Sequence, residues 1–214
     1  MDKSFAVLGL GKSGRAVARE LAVNGAEVIA ADKSEELVNS VADEVTAAMI
    51  ADLTSAEAIK GLGISNVDVV IVTMALSLEA SIMCVMVAKE LGVPHVVAKA
   101  KSERMGEILR KVGADEIVFP EKEAGQALSK RLLSDDFLDY FDLADDLCII
   151  EMKPKKEWIG KSLIQLDLRK KYDINVAAIT VDGKMKASID PQMLLNEECS
   201  LLVITSKKNY KKLI

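Results

Sequence analysis

Six short, unbroken apolar runs punctuate the first 120 residues: Phe5-Ala6-Val7-Leu8, Val28-Ile29-Ala30-Ala31, Ala47-Ala48-Met49-Ile50, Val69-Val70-Ile71-Val72, His95-Val96-Val97-Ala98 and Ile117-Val118-Phe119. None alternates with polar residues, which is how strands covered on both faces read. Helical spacing fills the gaps. Arg15 to Leu21 puts Val17 and Leu21 on one face, and Glu79 to Leu91 carries Met83, Val87 and Leu91 at intervals of four. Ser102 to Val112 opens on a capping serine and stops before Gly113. Strands alternating with helices predict an α/β fold over residues 1–120, a Rossmann-like doubly wound parallel sheet.

The pattern changes after Pro120. Glu121 to Leu133 reads as one helix with Ala124, Ala127, Leu128 and Leu132 along a stripe. An acidic stretch from Ser134 to Asp146 follows, with Phe137, Leu138, Tyr140, Phe141 and Leu143 embedded in it. It is expected as an amphipathic crossover element packed either on its own domain or on a partner, because exposed aromatics need a covering surface. Residues 121–146 thus form a crossover helix and linker. Residues 147–214 predict a small α+β domain. Its strands are Leu147 to Ile150, Ile174 to Val181, Met185 to Ile189 and Leu201 to Ile204. A short helix is expected near Ile164 to Arg169, and Asp182-Gly183 is a hairpin turn signal. Some 70 residues make a small core, which dimerisation would support.

Composition narrows the function. The net charge of -5 and an aromatic content of 4% disfavour nucleic acid as a partner. Cys84, Cys148 and Cys199 lie far apart among apolar residues and are expected as buried free thiols in a reducing compartment. No signal-like segment and no run of about 18 apolar residues is present, so a soluble, cytoplasmic protein is expected. The single histidine, His95, opens the fifth apolar run and is expected as a satisfied core residue. No defensible catalytic set of nucleophile and base presents itself.

The chemistry lies in the first turn. Gly9, Gly11 and Gly14 satisfy G-x-G-x-x-G between a predicted strand and a predicted helix, the context the motif needs. One glycine permits the turn, one lets backbone approach phosphate, and one lets helix and strand pack; the helix start then offers N–H groups to an anion. Lys12 and Ser13 sit inside this loop. Asp32 closes the second strand, where a carboxylate accepts from ribose hydroxyls and repels a 2′-phosphate, an exclusion that neighbouring Lys33 weakens. Asp52, after the third strand, is placed either to approach an adenine edge or to serve as an ordinary loop or capping residue. Glu121 follows the sixth strand, where it would either bind a cation beside nucleotide phosphates or stabilise a helix start.

The blocks Phe5 to Gly14, Ala31-Asp32, Asp68 to Val72 and Lys111 to Glu121 resemble the regulator-of-potassium-conductance (RCK) family, in its KtrA/TrkA branch, over nearly the whole chain. The resemblance implies a cytoplasmic regulatory subunit on the inner face of the cell membrane, bound to a membrane-embedded potassium-translocating subunit. It implies homo-oligomers, with dimers assembling into a ring that is expected to be octameric. ATP or ADP, or NAD or NADH, would bind the first domain through Gly9, Gly11, Lys12 and Gly14 at phosphates and Asp32 at ribose. Glu121 matches the family acid that helps place a divalent cation or sodium. Ile164, Asp167, Leu168, Arg169, Asn175, Val176 and Pro191 fall where some relatives bind cyclic di-AMP. Arg169 would pair with a phosphate and Asn175 would hydrogen-bond a base or phosphate. The rival readings are a small NAD-dependent oxidoreductase and a redox-sensing NAD-binding regulator of another system.

Overall fold

The chain opens with β1 (Ser4–Leu8), whose side chains point alternately to the two faces of a sheet. Ala6 and Leu8 enter one buried cluster with Ile59, Val85 and Leu109, while Val7 enters another with Leu10, Ala18 and Val38. The computed structural model describes residues 3–74, 76–132, 137–143 and 146–209. In its first unit, which ends at Glu121, β1 is followed by β2 (Glu27–Asp32), β3 (Ala47–Ile50), β4 (Val69–Val72), β5 (His95–Lys99) and β6 (Glu116–Val118). They form one sheet in the order β3-β2-β1-β4-β5-β6, and every pairing is parallel. Helices α1 (Lys12–Val23), α2 (Glu35–Asn39), α3 (Ala56–Lys60), α4 (Leu78–Glu90) and α5 (Glu103–Lys111) connect the strands. Apolar clusters on both faces explain why the strand runs lack alternation.

His95 departs from its expected place in the core. Its side chain is 43% exposed at the start of β5, with Nε2 3.4 Å from Glu116 Oε2. The residue begins the apolar run but precedes the covered part of the strand.

Helix α6 (Pro120–Leu132) carries the chain across the division between the two units, which falls after Glu121. The second unit holds β7 (Phe137–Asp142), β8 (Leu147–Met152), β9 (Asn175–Val181), β10 (Lys184–Lys186) and β11 (Ser200–Ser206) in the antiparallel order β10-β9-β11-β8-β7. The acidic aromatic stretch is therefore the edge strand β7, paired with β8. Phe141 stays 54% exposed on it, and residues 133–136 and 144–145 lie outside the described residues. The expected single helix near 164–169 is two turns, α7 (Leu163–Leu166) and α8 (Leu168–Tyr172). Asp167 separates them in the left-handed region at φ 45°. Asp182 and Gly183, at φ 52° and 70°, make the expected hairpin turn. Trp158 is 1% exposed in the core of this unit. Its ring lies 5.6 Å from that of Tyr172, and its Nε1–H meets no acceptor among the described residues. Cys84, Cys148 and Cys199 are buried thiols. Among the described residues, no helix is long and apolar enough to cross a membrane.

Candidate functional site

Strand order reverses at β1, whose neighbours β2 and β4 carry the chain to opposite sides of the sheet. In open parallel sheets, ligands bind outside the carboxyl ends of the strands at such a point. Here those ends deliver Gly9 after β1, Asp32 at the end of β2 and Thr73 after β4. The strand ends are tied together: Gly9 N–H donates to Ala31 O at 2.8 Å, Thr73 N–H to Leu8 O at 2.9 Å, and Thr73 Oγ1 to Gly9 O at 2.6 Å. A crevice of about 420 Å3 opens above them. Gly9, Gly11, Asp32, Lys33 and Asp52 line it, with Leu53, Thr73, Met74 and Ser77 among the other walls.

Each loop glycine has its own geometric reason. Gly9 is at φ 97°, and a Cβ there would lie 2.5 Å from Met74 Cγ. A Cβ on Gly14 would lie 2.0 Å from Gly9 O and 2.7 Å from Thr73 Oγ1. Gly11 differs, because a Cβ there would meet nothing within 4 Å. The absent side chain at Gly11 leaves space on the ligand side rather than permitting internal packing. Helices α2, α3, α4 and α5 are each capped by a serine side chain, from Ser34, Ser55, Ser77 and Ser102. Helix α1 starts after Gly11 with no side-chain cap and no acidic residue in its first turn. Its first N–H groups are thus oriented to receive an anion.

Asp32 holds the loop in place. Its Oδ2 accepts from Leu10 N–H at 2.6 Å and its Oδ1 from Ser34 N–H at 2.9 Å. Each carboxylate oxygen has a second lone pair, so acceptance from a pair of ribose hydroxyls is compatible with both bonds. Asp52 lines the crevice and also closes a turn. Thr54 donates to it through its N–H at 3.0 Å and its hydroxyl at 2.7 Å, and these bonds hold its carboxyl below the ordinary value.

Lys12 and Ser13 form the first turn of α1 and lie outside the crevice lining. Ser13 Oγ accepts from Lys99 Nζ at 2.9 Å, and the same ammonium pairs with Glu121. Lys99 is only 11% exposed, whereas Glu121 is 69% exposed. The Lys99 bond, followed by a backbone bond, holds the Glu121 carboxyl below its ordinary value. Glu121 thus meets an ammonium where the resemblance would put a metal ion. Among the described residues, no group of three His, Cys, Asp or Glu is placed to hold a metal. Thr73 and Lys99 escaped the sequence reading. Their signal is slight: a polar residue directly after a buried strand, and a lysine closing an otherwise apolar one.

In the second unit a hollow of about 220 Å3 gathers Asp167, Leu168, Arg169, Asn175 and Val176, five of the seven residues expected there. Ile164 and Pro191 are joined to each other by a backbone bond of 3.2 Å from Ile164 N–H to Pro191 O. Ile164 is 59% exposed.

Residues 5–120 match the TrkA-N domain model and residues 147–214 the TrkA-C domain model. Over 211 residues the chain is 36% identical to Ktr system potassium uptake protein A of Bacillus subtilis (strain 168), covering 99% of this chain and 95% of that protein. The protein of the same name from Vibrio alginolyticus is 34% identical over 175 residues, 82% of this chain and 80% of that one. The solved RCK domain of GsuK shares the fold, with a TM-score of 0.66 at 16% identity over 100% of this chain; the match spans 47% of that longer chain. The NAD(P)-binding domain of an exopolyphosphatase-related protein from Archaeoglobus fulgidus matches with a TM-score of 0.52 at 25% identity, over 60% of this chain and 96% of that domain.

Proposed function

The chain belongs to the family built from a TrkA-N domain followed by a TrkA-C domain, and from that premise we propose that it is a nucleotide-binding regulatory subunit of a potassium uptake system. The observation that carries this reading is the empty space at Gly11 beside an uncapped helix start, faced by Asp32 across the same crevice. Phosphates would lie on the N–H groups of α1 and the ribose on Asp32. ATP and ADP are the ligands we favour, with NAD or NADH as alternatives. The relatives named above are potassium uptake proteins, which favours regulation over a small oxidoreductase.

Regulation needs two conformations with different affinities for the two nucleotides. A ligand moves such an equilibrium only by the difference in its binding free energies, and about 1.4 kcal/mol shifts it tenfold. The partner in this reading is a membrane-embedded potassium-translocating subunit, which would hold the protein at the inner face of the membrane. Self-assembly of dimers into a ring, octameric in the family manner, is supported by α4. Leu78 and Met86 lie on one face of α4 with Ile82 between them and are 39% and 41% exposed. Exposed apolar side chains gathered on one helix face invite cover by a second surface. A divalent or sodium ion at Glu121 would need Lys99 to move and the nucleotide to supply further oxygen ligands. Cyclic di-AMP is proposed for the Arg169 hollow, shared between two copies.

Thermal unfolding with ATP, ADP, NADH, NADPH and cyclic di-AMP in parallel tests this reading. A ligand at a hundred times its Kd adds about 2.7 kcal/mol of stability. Adenine nucleotides are expected to raise Tm in the native protein and not in Asp32→Ala. If none of them raises Tm, nucleotide regulation is wrong.

A further inference from the structure

The second unit holds a recess of about 590 Å3 beside the ring pair Trp158 and Tyr172. It has no lining residue in common with the Arg169 hollow, although α7 and α8 serve both. Its uncommitted polar groups are donors. Lys161 and Lys171 line it, and both are exposed. Neither is ion-paired among the described residues, whereas Lys170 Nζ lies 3.8 Å from Asp167 Oδ2. Gln165 has its Oε1 engaged by Ser162 N–H at 2.9 Å, which leaves the amide NH2 to donate. The Nε1–H of Trp158 is enclosed and meets no acceptor among the described residues, a cost that a ligand oxygen would relieve. Glu157 is the one acid in the lining, against two lysines. Gly160 adds open space, since a Cβ there would meet nothing within 4 Å. The surrounding segment leans the same way. Lys153 to Lys171 contains seven lysines and arginines against two acids, in a chain whose net charge is -5, and such a patch draws anions.

We propose that this recess binds a small, free, phosphate-bearing anion through Lys161 and Lys171. An exposed ammonium gains little from a single opposite charge, because water screens it. The ligand must therefore bring two or more negative charges. Phosphate groups do so, with several acceptor oxygens for the spare donors, and lysine binds them as a point charge. The volume lies within the roughly 300–1,000 Å3 usual for small-molecule sites, which leaves room for a diphosphate or a phosphorylated metabolite. The same head-group chemistry occurs on lipids, but a membrane-surface site keeps its tryptophan at the interface, and Trp158 is 1% exposed. The site stands apart from the nucleotide crevice and from the Arg169 hollow, and depends on neither.

The experiment is lysine acetylation of the full chain, read residue by residue by mass spectrometry during a titration with inorganic pyrophosphate. Lys161 and Lys171 should be protected together along one saturating curve. Lys170, 84% exposed and outside the lining, is the internal reference and should keep its reactivity. In Lys161→Gln the midpoint read at Lys171 should rise about fivefold, the upper range for one exposed ion contact. Lys161→Arg keeps the charge and should hold that midpoint near the native one. Lys171→Gln, read at Lys161, is the reciprocal variant and should behave like Lys161→Gln. Acetate at equal ionic strength should protect neither lysine, and phosphatidylglycerol vesicles should leave both reactive. No protection by pyrophosphate, equal protection of Lys170, or unchanged midpoints in both glutamine variants would overturn the proposal. Protection by the vesicles and not by pyrophosphate would overturn it in favour of a lipid surface. Because the readout belongs to two lysines of the second unit, none of these results bears on nucleotide binding in the first.

Discussion

The crevice of the first unit and the hollow of the second are built on opposite principles. In the first, the reversal of strand order opens a cleft before any side chain is chosen, and the backbone of Gly9 and Gly11 lines it beside Asp32. Its volume of about 420 Å3 falls within the roughly 300–1,000 Å3 typical of small-molecule sites. In the second, the sheet is antiparallel, and the residues expected at the site gather beside the break between α7 and α8. Asp167 to Arg169 and Asn175-Val176 surround only about 220 Å3, below that range, beside an exposed Ile164. On the proposed function, topology would complete the first site within one chain, while the second would need a second copy around a two-fold ligand.

The largest effect should come from Gly14→Ala. Its Cβ would drive into Gly9 O and Thr73 Oγ1, which are hydrogen-bonded to each other. A loss of about 3 kcal/mol in urea unfolding is expected, the upper end of ordinary overpacking. A loss below about 0.5 kcal/mol would mean that the loop is not pinned as described. Gly11→Ala should do the reverse. Stability should move by less than about 0.5 kcal/mol, since no atom lies near, while nucleotide affinity falls, as isothermal titration would show. The two glycines therefore separate packing from ligand contact within one motif.

The second site is sharpened by Arg169→Ala. Arg169 is exposed, so unliganded stability should scarcely change, while any rise in Tm with cyclic di-AMP disappears and that with ATP survives. Loss of both responses would show that the two sites are not independent. The smallest effect concerns pH. Lys99 holds the Glu121 carboxyl below its ordinary value of 4.5. The pair therefore contributes stability fully above pH 4.5 and loses it as pH falls through the lowered value. Urea midpoints of Glu121→Gln should be less sensitive to pH than the native ones below about pH 4.5. Parallel curves would mean that the ion pair adds nothing, as many exposed pairs do.

The six strands, the glycine loop and Asp32 were legible because each leaves a local mark: a short apolar run, a fixed spacing, an acid closing a strand. Thr73 and Lys99 were not, because only the sheet order brings residues 64 and 86 positions apart into hydrogen-bond contact. His95 was misplaced because an apolar run does not show where along a strand the cover begins. The break between α7 and α8 was hidden because Asp167 adopts a left-handed conformation that non-glycine residues seldom take. Strand β7 was obscured by acids among its aromatics, which fit an amphipathic helix as readily as an edge strand.

The lone tryptophan, enclosed in the second unit, makes the chain its own optical probe. A change in that emission on exchanging ADP for ATP would report a change in the core of the second unit, without any dye attached. On heating, the same fluorophore follows one unit while circular dichroism follows both. Melting curves that fail to coincide would show the halves coming apart as separate cooperative bodies.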